Sequence, residues 1–120
     1  MSFFRFKPED LTKKIIKATN EEKKKNYCLQ QIEYFKSKKG QPNFIYNYED
    51  LIKAVSDFEN SSNSGLKKLW IQLFKEMIKL NPELKINYTN RILNVILSNN
   101  FNDQEVIKET IEFLTSDCGD

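Results

Sequence analysis

The chain is built of amphipathic segments with helical spacing, separated by residues typical of helix ends. Apolar residues recur three and four positions apart in these segments, which places them on one side of an α-helix. Only three glycines and three prolines occur in 120 residues, too few for the tight turns of a β-sandwich or for a glycine-rich phosphate-binding loop. The pattern predicts an all-α fold, an irregular or orthogonal bundle of about six short helices, with residues 1–120 forming a single helical domain.

Capping residues and helix breakers predict where the six helices begin and end. A proline followed by acidic residues opens the first helix, over about 8–18. A capping box from Thr19 to Glu22 opens the second helix, which runs to Lys39 and stops at Gly40. The remaining predicted helices are one capped by Asn47 that carries Tyr48 to Phe58, one over about 66–80, one over about 87–99, and one that follows Asn102-Asp103 and ends at about Thr115.

The predicted fourth helix has the widest apolar arc and contains the only tryptophan, Trp70, so we expect it to be the central helix of the bundle. Spacing on the fifth helix places Leu93 and Leu97 among its inward-facing residues. On the sixth helix, Ile107 and Ile111 are predicted to face the core. A stack of helical hairpins is the topological alternative, but the sequence has no internal repeat.

Composition excludes several kinds of chemistry. The chain has no histidine, which excludes a Ser-His-Asp triad and His-ligated metal sites. Its two cysteines, Cys28 and Cys118, cannot complete a four-ligand zinc site, and we interpret them as inert thiols in a reducing compartment. Adjacent acidic pairs at helix starts follow from the helix dipole. We therefore expect no enzymatic activity, no cofactor and no bound metal.

The sequence also predicts a cytoplasmic protein without a membrane partner. The N-terminal phenylalanines are interrupted by charge and do not form the apolar core of a secretory signal. No stretch approaches the roughly 18 apolar residues that a membrane span requires.

Charge is segregated along the chain. The first 40 residues carry 11 basic and five acidic side chains, whereas residues 101–120 carry one basic and six acidic side chains. The candidate partner-binding residues are the acids Glu49, Asp50, Asp57 and Glu59 around the third helix, the acids Glu105, Glu109 and Glu112 on the sixth, and the tyrosines Tyr27, Tyr34, Tyr46 and Tyr48. Spacings of four and three place the sixth-helix acids on one face, and tyrosine is a frequent interface anchor. The alternatives are that the acids form only a solvated face and that the tyrosines complete the core.

The whole chain resembles the small all-α immunity proteins that bacteria encode beside polymorphic or contact-dependent growth inhibition toxins. The resemblance is carried by size, helicity, charge blocks and a composition rich in Lys, Asn and Ile, with no signature motif. It implies a binding protein that neutralises a cognate toxin domain, such as a nuclease, by covering its active site or substrate surface. We expect the chain itself to be a monomer. The acidic residues favour a basic partner.

The alternative function is that of a small phage or mobile-element protein that binds nucleic acid or regulates expression. It would use the Lys-rich second helix, whose lysines could neutralise phosphates. These are Lys23, Lys24, Lys25, Lys36, Lys38 and Lys39. A solvated helix face explains the same lysines without a nucleic-acid partner.

Overall fold

The structure, a computed structural model, describes residues 8–39 and 46–116, and within these ranges the chain forms seven α-helices and no strand. The predicted all-α class is confirmed. The helices are α1 (Pro8–Lys17), α2 (Glu21–Ser37), α3 (Tyr48–Ala54), α4 (Ser56–Glu59), α5 (Ser64–Leu80), α6 (Glu83–Ile96) and α7 (Gln104–Thr115).

Helix α5 is the central element, as its wide apolar arc predicts. It packs against α2, α4 and α6. Trp70, Leu73, Phe74 and Met77 are completely buried along it, and the rings of Trp70 and Phe74 have centroids 4.2 Å apart. Helix α1 packs against α2 and α3, and α7 packs against α6.

The start of α2 differs from the predicted capping box. Asn20, and not Thr19, is the N-cap: its Oδ1 accepts hydrogen bonds from the backbone nitrogens of Glu22 (2.8 Å) and Lys23 (3.2 Å). Asparagine is the stronger cap because its side-chain carbonyl reaches these nitrogens from an extended backbone. The helix ends at Ser37, two residues before the predicted end, and the expected stop at Gly40 lies outside the described residues.

Two other helix boundaries also differ from prediction. The predicted third helix is divided at Val55, whose φ of −102° and ψ of 15° end α3 and begin α4. The predicted fifth helix begins four residues early, at Glu83, because Pro82 has helical angles and a proline is tolerated in the first turn. Asn81 Oδ1 accepts from the Glu83 nitrogen at 3.3 Å and supports this start.

Two residues predicted to face the core lie on the surface. Leu97 is 67% exposed because it is the C-cap of α6 and lies beyond its last regular turn. Ile111 is 38% exposed because Thr110 and Leu114, four residues apart, occupy the buried side of α7. Ile107 and Leu93 are half-buried.

Candidate functional site

The outward side of α7 carries the three acids predicted to form a stripe. Asp103 caps the helix by accepting a hydrogen bond from the Val106 nitrogen at 3.2 Å, one residue after the cap that the predicted capping box of Asn102 and Glu105 requires. Glu105, Glu109 and Glu112 are all exposed, and no described cation lies within ion-pair distance of their carboxylates. We call these three residues the α7 acidic face.

The outward side of α7 also carries a lysine that sequence reasoning did not include. Lys108 is exposed and lies three residues after Glu105 and four before Glu112, so the outward side has a formal charge of −2 from three acids and one base. Ile111 is 38% exposed and lies at the edge of the buried side, about 100° around the helix from Glu112. The spacing of Lys108 was visible in the sequence, but the exposure of Ile111 required the packing of Thr110 to be known.

One edge of the α7 acidic face borders lysines of α5. Glu105 and Glu109 line a recess of about 280 Å³ together with Lys68 and Lys75. Lys68 Nζ lies 3.6 Å from the carboxylate of Asp103, and Lys75 Nζ lies 5.5 Å from the ring centroid of Phe113. The two α5 lysines thus contact Asp103 and Phe113 and do not pair with the α7 acidic face.

Two of the four acids around α3 and α4 form ion pairs within the chain. Arg91 Nε donates to both carboxylate oxygens of Glu59, at 2.9 and 3.0 Å, and this hydrogen bonding raises the pKa of Arg91. Lys24 Nζ donates to Asp57 at 3.0 Å. These pairs link α4 to α6 and to α2, so much of this predicted acidic site serves to hold helices together.

The other two acids lie at the start of α3. Asn47 and Asp50 bond reciprocally: Asn47 Nδ2 donates to Asp50 Oδ2 at 2.9 Å, and the Asp50 nitrogen donates to Asn47 Oδ1 at 3.3 Å. Glu49 is exposed. Asp50 therefore helps to cap the helix, and Glu49 remains the acid of this group for which the structure shows no such role.

Three of the four candidate tyrosines come together around Phe35. Tyr46 meets the Phe35 ring edge-on at 5.1 Å and lies 6.1 Å from Tyr34 and 5.6 Å from Tyr48. All three tyrosines are half-buried, and burial raises the pKa of Tyr48. We call these four residues the aromatic cluster.

The hydroxyl of Tyr46 joins the aromatic cluster to α1 and α2. It accepts a hydrogen bond from Gln31 Nε2 at 2.7 Å and lies 3.1 Å from Thr12 Oγ1. Next to it, a largely apolar groove of about 410 Å³ is bordered by Ile16, which is 61% exposed. The other groove residues are Thr12, Lys13, Asn47, Asp50 and Lys53.

The lysines near the start of the Lys-rich helix α2 have different surroundings in the structure. Lys24 pairs with Asp57, and Lys25 lies 4.0 Å from Glu21. Lys23 instead lines a recess of about 280 Å³ with Lys14 and Lys17 of α1. The fourth candidate tyrosine, Tyr27, also lines this recess. The sequence analysis did not connect the two α1 lysines with α2, because the pairing of the helices was not known.

The described residues also bear on metal binding, thiol reactivity and membrane spans. In residues 8–39 and 46–116, no three His, Cys, Asp or Glu residues are grouped so that they could hold a metal ion. Burial raises the pKa of Cys28 to about 12, so its thiol is protonated near neutral pH. Cys118 lies outside the described residues. No helix in the described ranges has the length and apolar character needed to cross a membrane.

Comparisons with protein-family models, with curated proteins and with solved structures found no match to this chain. The fold and surface of the chain define its class: an all-α helical bundle with the α7 acidic face on one helix and a recess between α1 and α2. We call that recess, lined by Lys14, Lys17, Lys23 and Tyr27, the basic recess.

Proposed function

We propose that this chain is an immunity-type protein that binds a cognate toxin domain and neutralises it by covering the toxin's active site or substrate surface. The α7 acidic face carries the proposal. Its three carboxylates are exposed without a cation at ion-pair distance in the described residues. Like charges three and four residues apart cost a helix roughly 0.2–0.5 kcal/mol per pair, and a basic partner would relieve this repulsion.

The proposed partner is a toxin domain with a basic surface, as expected of an enzyme that cleaves nucleic acid. Glu105, Glu109 and Glu112 would attract that surface and raise the association rate. The tyrosines of the aromatic cluster pack around Phe35, and the proposed contact through the α7 acidic face does not involve them.

The test measures association of the purified chain with the toxin domain encoded by the neighbouring open reading frame. The rate constant for the wild type should fall as salt rises, because salt screens the attraction. The variant Glu105→Gln, Glu109→Gln, Glu112→Gln should associate at least about tenfold more slowly at low salt and show a flatter salt dependence.

A matched variant controls for net charge. Glu22→Gln, Glu33→Gln and Glu83→Gln remove three exposed carboxylates from other surfaces and should leave the rate within about twofold of the wild type, since steering depends on charge near the interface. Equal rates for the two triple variants would contradict the assignment of the α7 acidic face.

The basic recess favours a second candidate function, the binding of nucleic acid. Lys17 and Lys23 have no carboxylate partner among the described residues, and Tyr27 offers a ring on which a base could stack. Single-stranded RNA or DNA should then bind at about 50 mM salt, and replacing Lys14, Lys17 and Lys23 with Gln should weaken binding and reduce its salt dependence. The control replaces Lys36, Lys38 and Lys39 with Gln. Absence of binding by the wild type at low salt would exclude this function.

A further inference from the structure

The groove beside the aromatic cluster lies between α1 and α3 and belongs neither to the α7 acidic face nor to the basic recess. Its volume of about 410 Å³ is within the range of small-molecule binding sites. The two helices pack against each other, with Lys13 and Ile16 of α1 on one side of the groove and Asp50 and Lys53 of α3 on the other. We call it the α1–α3 groove.

The lining of the α1–α3 groove is largely apolar, although Ile16 is the one aliphatic residue among those that form it. Carbon atoms of polar residues therefore supply the rest, such as the stems of Lys13 and Lys53 and the ring of Tyr46. A lysine stem lies along apolar surface while its ammonium group extends to water, which places positive charge at the rim. Ile16 is 61% exposed, and an apolar ligand in the groove would remove it from water.

The charges around the groove favour an anion. Lys13 and Lys53 are both exposed, and among the described residues neither has a carboxylate within ion-pair distance. The carboxylate of Asp50 already accepts a hydrogen bond from Asn47 Nδ2 at 2.9 Å and lies in the first turn of α3, where the helix dipole stabilises negative charge. The two ammonium groups are therefore the charges available to a ligand.

We propose that the α1–α3 groove binds a free medium-chain alkyl carboxylate. The alkyl chain would lie against Ile16 and the lysine stems, and the carboxylate would lie at the rim, where Lys13 and Lys53 supply positive charge. Two lysines and one aspartate leave the groove a formal charge of +1, which matches a singly charged head group better than a phosphate monoester. This binding activity is separate from the proposed contact of α7 with a toxin domain.

The affinity should depend on both parts of the ligand. Each further methylene placed in the groove should strengthen binding about twofold to fourfold, the upper value being that of a fully buried methylene. The dissociation constant should be about 1 mM for decanoate, because a small ligand retains little of its contact energy once it is ordered.

A titration followed by NMR tests the proposal with hexanoate, octanoate and decanoate, each below the concentration at which it forms micelles. The backbone amide signals of Thr12, Ile16 and Lys53 should shift, and the affinity should rise along the series. Decanol has the same chain without the charge and should bind at least about threefold more weakly, and decylammonium should bind more weakly still. Acetate should not shift these signals.

Two double variants test the role of charge. Lys13→Gln with Lys53→Gln should weaken the binding of decanoate at least about threefold and leave that of decanol unchanged. The control variant Lys39→Gln with Lys108→Gln removes two exposed lysines from other surfaces and should bind decanoate like the wild type. Equal affinities of the two variants for decanoate would overturn the assignment of the head group.

A single variant tests the apolar contact. Ile16→Asn should weaken decanoate binding at least about fivefold, whereas Leu29→Asn, at an exposed position on α2, should not change it. The proposal would be overturned by a wild type whose Thr12, Ile16 and Lys53 signals do not respond to decanoate, or by an affinity that does not depend on chain length. Binding to phosphatidylglycerol vesicles without binding of decanoate would also overturn it, because the ligand would then be a membrane lipid.

Discussion

Trp70 is completely buried, and its indole Nε1 has no hydrogen-bond acceptor among the described residues. Its contribution therefore comes from packing, including the contact with Phe74. Trp70→Ala should lower the free energy of unfolding by about 3–5 kcal/mol, the range for large aromatic truncations in cores. Trp70→Phe should cost less, because it keeps an aromatic ring and loses no hydrogen bond.

Urea unfolding followed by circular dichroism measures both effects without depending on tryptophan fluorescence. A loss below about 1 kcal/mol for Trp70→Ala would show that α5 is not the centre of the core. A loss for Trp70→Phe as large as that for Trp70→Ala would show that the indole nitrogen has a partner.

Tyr46 is a residue whose structural role can be separated from a role in binding. Removing its hydroxyl deprives the buried Gln31 side chain of a 2.7 Å hydrogen bond, so Tyr46→Phe should lower the free energy of unfolding by about 1–2 kcal/mol. Tyr48→Phe is the matched control in the same aromatic cluster. The Tyr48 hydroxyl has no hydrogen bond to another of the described residues, so this variant should change stability by less than about 0.5 kcal/mol. Equal effects in chemical denaturation would refute the bridging role of the Tyr46 hydroxyl.

At the scale of elements, the pair between Glu59 and Arg91 joins the short helix α4 to α6. The Glu59 side chain is only 18% exposed, and both of its oxygens accept from Arg91, so this pair is better shielded than a surface pair. A double-mutant cycle with Glu59→Gln and Arg91→Gln should give a coupling free energy of about 1 kcal/mol. The exposed pair of Lys36 and Glu33 should give less than about 0.5 kcal/mol, and equal couplings would contradict this difference.

Local sequence predicted much of the helical structure because helix ends depend on nearby residues. The cap at Asp103 and the break after Leu80 were predicted within a residue or two. The division at Val55 was not predicted, because the apolar spacing continues through it and only the packed structure shows the turn there. The outward position of Leu97 was missed because it depends on where α6 ends, which spacing alone does not fix.

At the scale of the whole molecule, charge blocks in sequence do not translate directly into charged surfaces. Asp57 lies 33 residues from Lys24, and Glu59 lies 32 residues from Arg91, yet each pair is in contact. Such pairing depends on tertiary packing, so the sequence could not show that two of the acids around α3 and α4 have partners within the chain. It correctly grouped the acids of α7, because one helix determines their arrangement.

A growth assay tests the central claim, that the chain neutralises a toxin through α7. The proposed function expects a neighbouring open reading frame to encode the toxin domain, and cells would express that domain together with this chain or its variants. We expect wild type and the control variant Glu22→Gln, Glu33→Gln, Glu83→Gln to restore growth, and Glu105→Gln, Glu109→Gln, Glu112→Gln to restore it less at equal protein levels. Growth with the wild type no better than without the chain would contradict the proposed function, and full protection by the α7 variant would contradict the proposed surface.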